Sequence, residues 1–180
     1  MELTTKHLAA YLPYGLKVSN SINFADFGIC QNTTELLQGY SFGNVITDKD
    51  EFGIEYCILH LRPLSDLTKE ITINGETFVP MLELLKIAIN DFDDNEGEIN
   101  AGMITEWELH DLNITAYLNE ELVCKLLYNK SKIKFTFISP QDLWWSCSYS
   151  LMEKLLEWHF DIFGLLENNL AININEINNL

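Results

Sequence analysis

Five carboxylates fall within ten positions in NDFDDNEGEI, residues 90–99: Asp91, Asp93, Asp94, Glu96 and Glu98. Oxygen donors at that density could make a calcium loop, so their spacing is the first test. An EF-hand loop sets oxygen ligands at positions 1, 3 and 5, a glycine at 6 for the sharp turn, and a bidentate glutamate at 12. Counted from Asp91, positions 3 and 5 are Asp93 and Asn95, but position 6 is Glu96, the glycine comes one residue late as Gly97, and position 12 is Gly102. Both defining residues are missing, and no metal is assigned to the stretch.

The other groups that could do chemistry are scattered. His7, His60, His110 and His159 lie at least 49 residues apart, with no HxH or HExxH pair to put two imidazoles on one metal. His60 alternates with apolar neighbours in LHLR and His159 sits within WHF, so both read as core or boundary histidines. Cys30, Cys57, Cys124 and Cys147 are spaced 27, 67 and 23 apart, which fits neither a CxxC site nor a disulfide framework and reads as reduced, mostly buried thiols. No GxSxG elbow, Walker loop or GxGxxG occurs. The expectation is a non-enzyme with no cofactor.

Charge is the strongest signal. The net charge is −16 and Arg62 is the sole arginine. From Ile87 to Cys124, 38 residues, the chain holds Asp91, Asp93, Asp94, Glu96, Glu98, Glu106, Glu108, Asp111, Glu120 and Glu121 and no lysine or arginine. Direct nucleic-acid binding needs cations that displace condensed counterions, so it is not expected. Carboxylates crowded without partners cost stability unless something offsets them. Two readings follow: a solvated loop tip that maintains solubility, or a surface that docks onto a basic partner and gains association rate from its charge. Trp144 and Trp145 are the aromatic candidates beside it. On a helix they project about 100° apart, which leaves one of them exposed, and tryptophan is enriched where interfaces bind most tightly; the competing role is a lid on the core.

The elements that must position these residues are readable in parts. A helix over Thr5–Leu12, capped by Thr5, stops at Pro13 and Gly15. The region 23–53 is loop-rich, with Thr33 or Thr34 able to cap one or two helical turns. EYCILHLRPL, residues 55–64, reads as a strand ended by Pro63, and EITI-NG-ETFV, residues 70–79, as a two-residue hairpin on Asn74–Gly75. Pro80 opens a helix through MLELLKIAI that runs into the acidic stretch. GMITEWELH fits a strand or a short helix, Asn119 caps a helix through EELVCKLLYN, and KIKFTF, residues 132–137, alternates as a strand. Ser139, Pro140 and Asp142 open a short helix. Ser150 and Glu153 form a capping box on a long helix over residues 150–169, apolar around most of its circumference, and the tail AININEINNL frays or adds an edge strand. The expected fold is one α+β domain over residues 1–180, a mostly antiparallel sheet containing the 70–79 hairpin packed against several helices. The N-terminus has no basic start followed by an apolar run and no segment reaches a membrane span, which predicts a soluble chain in the cytoplasm, without membrane partners.

LAAYLPYGLKV, LRPLSDLTKEI, FVPMLELL and EWHFDIFGLLENNLAIN together resemble a group of short proteins encoded by bacterial phages and prophages. The likeness covers both ends and the middle of the chain but not the acidic block, and its motifs are structural, so no functional residue carries over. Within that setting a small acidic chain without catalytic motifs is similar in kind to anti-CRISPR inhibitors, and the resemblance implies a type VI CRISPR effector, an RNA-guided ribonuclease of the host, as the basic nucleic-acid-handling partner. The partner-binding set is then Asp91, Asp93, Asp94, Glu96, Glu98, Glu106, Glu108, Asp111, Trp144 and Trp145. The alternative is a phage accessory or structural protein that assembles with itself or another phage component.

Overall fold

The computed structural model describes residues 3–20, 34–36, 57–93, 101–139, 144–146 and 149–177. In chain order these form α1 (Thr5–Tyr11), β1 (Lys17–Asn20), β2 (Thr34–Leu36), β3 (Cys57–Leu61), β4 (Ile71–Ile73), β5 (Glu76–Phe78), α2 (Pro80–Asp93), β6 (Glu106–His110), β7 (Asn113–Leu118), β8 (Glu121–Asn129), β9 (Lys134–Ile138), β10 (Trp144–Ser146), α3 (Tyr149–Glu157), β11 (Ala171–Asn173) and α4 (Ile174–Ile177). The class is α+β with mostly antiparallel pairing. The chain divides into two compact units, one from Met1–Pro63 and Leu156–Leu180, the other from Leu64–Leu155.

The first unit holds a four-stranded sheet in the order β11-β3-β1-β2, antiparallel except for the parallel β11–β3 pair. The tail therefore adds an edge strand, with Ala171 opposite Leu59. Residues 34–36 are a strand rather than a helical cap, because Lys17, Val18 and Ser19 pair with them. The N-cap of α1 is Thr4, not Thr5: Thr4 is extended and its N–H donates to His7 Nδ1 at 3.1 Å, which satisfies a backbone donor at the helix entrance. Leu8, Tyr11, Leu16, Leu59, Leu61, Phe160 and Leu165 fill the core. Tyr11 Oη donates to the Phe160 carbonyl at 2.7 Å and accepts from Ile162 N–H at 3.3 Å, tying α1 to a segment 149 residues away.

That segment corrects the expected long C-terminal helix, which ends at Glu157. His159 takes φ 60°, and Phe160 forms a parallel bridge to Arg62, with Arg62 N–H donating to the His159 carbonyl and Asp161 N–H to the Arg62 carbonyl. Sheet pairing thus takes the backbone groups that a helix would have used internally. Asp161, buried, then accepts from Leu165 and Leu166 N–H at 2.9 and 2.8 Å, and Gly164 supplies φ 72° inside the turn it caps. Apolar residues on all sides here mark buried irregular chain, not a buried helix.

The second unit is built on a five-stranded antiparallel sheet in the order β10-β9-β8-β7-β6. Ile114, Ala116, Cys124, Leu126, Tyr128, Phe135 and Phe137 alternate along β7, β8 and β9 and are all buried. Helix α2 lies against β7 and β8. Its buried residues Met81, Leu84, Leu85, Ala88 and Ile89 recur three and four apart, as one stripe requires, and full burial of each large member is worth roughly 1.5–3 kcal/mol. Pro80 is its first residue. The Asn74–Gly75 turn is also as expected, with φ 53° and 87°, but its hairpin stands as a separate two-stranded sheet and not as part of the larger one.

Three helical expectations in this unit give way to strands or to other contacts. EELVCKLLYN becomes β8 from Glu121 on, because Asn119 and Glu120 take φ 50° and 69° and turn the chain back along β7. Residues 144–146 are β10, paired with β9, while Pro140, Gln141, Asp142 and Leu143 lie outside the described residues. Ser150 sits inside α3, and its Oγ donates to Asp91 Oδ2 at 2.7 Å instead of capping the helix. The four-residue turn between β8 and β9 places Ile133 at φ 47°, where a β-branched side chain is strained. Ile133→Asn is expected to stabilise the protein by about 0.5–1 kcal/mol, since asparagine tolerates this backbone, and a thermal melt should move up by a few degrees.

Candidate functional site

Strand β6 closes one edge of the five-stranded sheet. Its residues Glu106, Trp107, Glu108 and His110 are exposed and Leu109 is half-buried. Because side chains alternate, exposure at 106, 107 and 108 means that both faces of the strand meet solvent. On one face Glu106 stands opposite Tyr117, Glu108 opposite Thr115 and His110 opposite Asn113; on the other, Trp107 stands opposite Ala116. Trp107 retains 48% exposure although Ala116 beside it is fully buried, so the covering of the core face ends before β6.

Local chemistry fixes this edge in place. Thr105 N–H donates to the Tyr117 carbonyl at 3.0 Å, and Thr105 Oγ1 accepts from Asn119 N–H at 3.0 Å, which ties the entrance of β6 to the β7–β8 turn. Glu106 is thereby brought to the same end of the sheet as Glu120 and Glu121, all exposed. A one-residue irregularity follows: Ala116 faces Cys124 but Tyr117 faces Leu122, so Val123 is the extra residue of a bulge and Leu122 is turned out, 45% exposed. Tyr117 Oη donates to Glu108 Oε2 at 3.0 Å, and His110 Nε2 lies 3.4 Å from the same oxygen. The hydrogen bond to the carboxylate, then burial and the carboxylate's charge, raise the Tyr117 hydroxyl above its ordinary range. Asp111, exposed with φ 43°, occupies the far end of β6.

The anticipated partner-binding residues do not all meet. Glu106, Glu108 and Asp111 share β6 and its turn. Asp91 is exposed in the last turn of α2 and Asp93 ends that helix. A carboxylate there opposes the helix dipole, and the Ser150 hydroxyl offsets this for Asp91. Asp94, Glu96 and Glu98 lie outside the described residues. Trp144 and Trp145 pair with Ile138 and Phe137 on β10, the opposite edge of the sheet, so three strands separate them from β6, and a strand backbone replaces the helical step assumed for them. The tryptophan beside the carboxylates is Trp107. Its signal in the sequence is the alternation EWE, with an acid on each side.

His7 and His60 belong to the first unit. His60 is buried in β3, and His7, held below its ordinary pKa by burial against the opposing charge of Asp161, packs against Phe163 with ring centroids 5.2 Å apart and tilted. Among the described residues no group of three or more His, Cys, Asp and Glu is placed to hold a metal ion, and no helix is long and apolar enough to cross a membrane. Cys124 is a buried free thiol whose pKa burial pushes up to about 12. It should resist a thiol reagent at pH 8 until the chain is unfolded. Because folding favours its protonated form, its contribution to stability is complete below the unfolded thiol's pKa and is lost as pH rises through about 12. An alkaline titration of stability on the parent and Cys124→Ser isolates that slope.

Comparison with protein-family models, curated proteins and solved structures finds no match to this chain.

Proposed function

We propose that this chain is a phage-encoded acidic binding protein that inhibits a nucleic-acid-handling host defence protein, and that its target class is the RNA-guided type VI ribonuclease effector. The single observation that carries the binding part is the β6 edge with the turns beside it: Glu106 and Glu108 on the strand, Asp111 in the β6–β7 turn and Glu120 and Glu121 at the β7–β8 turn are all exposed, within a 38-residue stretch that has no lysine or arginine. The phage setting and the effector class rest on the resemblance of the apolar motifs. Carboxylates two residues apart on β6 are separated by about 6.8 Å, whereas a duplex carries one charge per roughly 1.7 Å of axis. That figure counts both strands, one charge per about 3.4 Å of axis on each, so the described edge carries about half the charge per length of a single strand, and it suits a groove or loop that offers a few cations.

The test is a purified type VI effector with its guide, assayed for RNA cleavage with and without this protein, alongside a tagged pull-down with nuclease treatment. The parent should bind after nuclease treatment and inhibit. The quadruple variant Glu106→Lys, Glu108→Lys, Glu120→Lys, Glu121→Lys, shown by its melt to be folded, should lose at least tenfold in affinity, and raised salt should weaken the parent. Equal binding by parent and variant would overturn the acidic-edge reading. A chain that captures only itself would instead be an accessory or structural component.

A further inference from the structure

We infer that β6 is the docking edge for an extended basic segment of the partner, which adds to the sheet as a sixth strand with Trp107 as its aromatic anchor. This rests on the acidic-binder reading and names the form that the partner's contact takes. Among the described residues no strand lies beyond β6, and its side chains are exposed on both faces. An edge of this kind carries backbone donors and acceptors that an incoming strand can pair.

Charge on an edge strand also serves to prevent pairing, so the two roles must be told apart. Protection alone does not account for an indole 48% exposed between the two carboxylates, since exposed aromatic area favours association. A second copy of this chain is the wrong occupant. Antiparallel pairing of two β6 edges centred on Trp107, the register that would bury both indoles, brings Glu106 against the partner copy's Glu108, and like charges directly opposite are destabilising. A segment with arginine or lysine at every second position has the same two-residue period as Glu106 and Glu108, so its cations meet those carboxylates on one face. On the other face Trp107 offers its ring to an apolar or cationic side chain.

Isotope-labelled protein titrated with a seven-residue peptide alternating arginine with valine tests this, together with two forms of the peptide N-methylated at alternate amides, one for each hydrogen-bonding register. The parent peptide should shift the amide resonances of residues 105–110, Trp107→Ala should weaken it at least fivefold, and one N-methylated register should bind at least tenfold less tightly. Equal binding by all three peptides, or shifts that avoid β6, would overturn strand addition while leaving charge-led docking standing. No binding by any peptide would also overturn it, and the effector assay decides the broader reading independently.

Discussion

Phe137→Ala should cost about 3–5 kcal/mol and lower the melting temperature on the order of 10 °C. Phe137 is 1% exposed on β9, one strand in from the β10 edge of the five-stranded sheet, opposite Leu126 on one side and Trp145 on the other. Truncation removes the transfer energy of the ring and leaves a cavity that two flanking strands, pinned by their ladders, cannot close. Thr136→Ala, one residue away on the opposite face and half-buried, should change stability by less than about 1 kcal/mol. Urea denaturation of the pair measures the contrast. Equal losses at the two positions would mean that the strand's buried face has been assigned wrongly.

Asp161→Ala is the second large effect, about 3 kcal/mol, and its cause is polar. The carboxylate accepts from Leu165 and Leu166 N–H, and Leu165 is fully buried, so alanine leaves donors that water does not readily reach. Asp161→Asn keeps one acceptor oxygen and should lose roughly half as much. Amide exchange at Leu165 and Leu166 gives the direct readout: both should exchange faster in the alanine variant, and unchanged protection would show that Asp161 does not hold the turn.

These two residues also mark where sequence reading succeeds and where it fails. KIKFTF alternates strictly, and β9 buries Phe135 and Phe137 as that period requires, but Lys132 and Ile133 belong to the turn before the strand and Ile133 is exposed. Helix α2 and the Asn74–Gly75 turn are likewise local: one stripe, one proline at the entrance, two residues that accept positive φ. EELVCKLLYN misleads because Leu122, Val123, Leu126 and Leu127 fit a helical face while Cys124, Leu126 and Tyr128 fit a strand face, and the bulge at Val123 breaks the alternation that would have separated the two. Its turn residue Glu120, at φ 69°, carries none of the usual glycine signal. In LLEWHFDIFGLLENN the decisive interaction is the pairing of Phe160 with Arg62, about a hundred residues away in sequence, which no window of neighbouring residues contains. For the candidate site the charge was readable and its placement was not. Composition marks the 38-residue stretch and EWE sets Trp107 between two carboxylates, but only the strand order separates Glu106 and Glu108 from Trp144 and Trp145.

The discontinuity of the first unit bears on how the chain is made. Residues 64–155 contain every partner of the five-stranded sheet, so once they have left the ribosome that unit can fold from contacts that are close in sequence. The first unit begins earlier but cannot be completed, because β3 waits for Ala171 and Tyr11 waits for Phe160. Ordering so distant a pair carries a loop-closure entropy that the inserted unit, once folded, shortens. The usual sequence in which the N-terminal part of a nascent chain matures first is thus inverted. The first part synthesised is the last to be finished, and during translation Leu8, Leu16, Leu59 and Leu61, all fully buried in the finished unit, are apolar surface still waiting for its C-terminal cover.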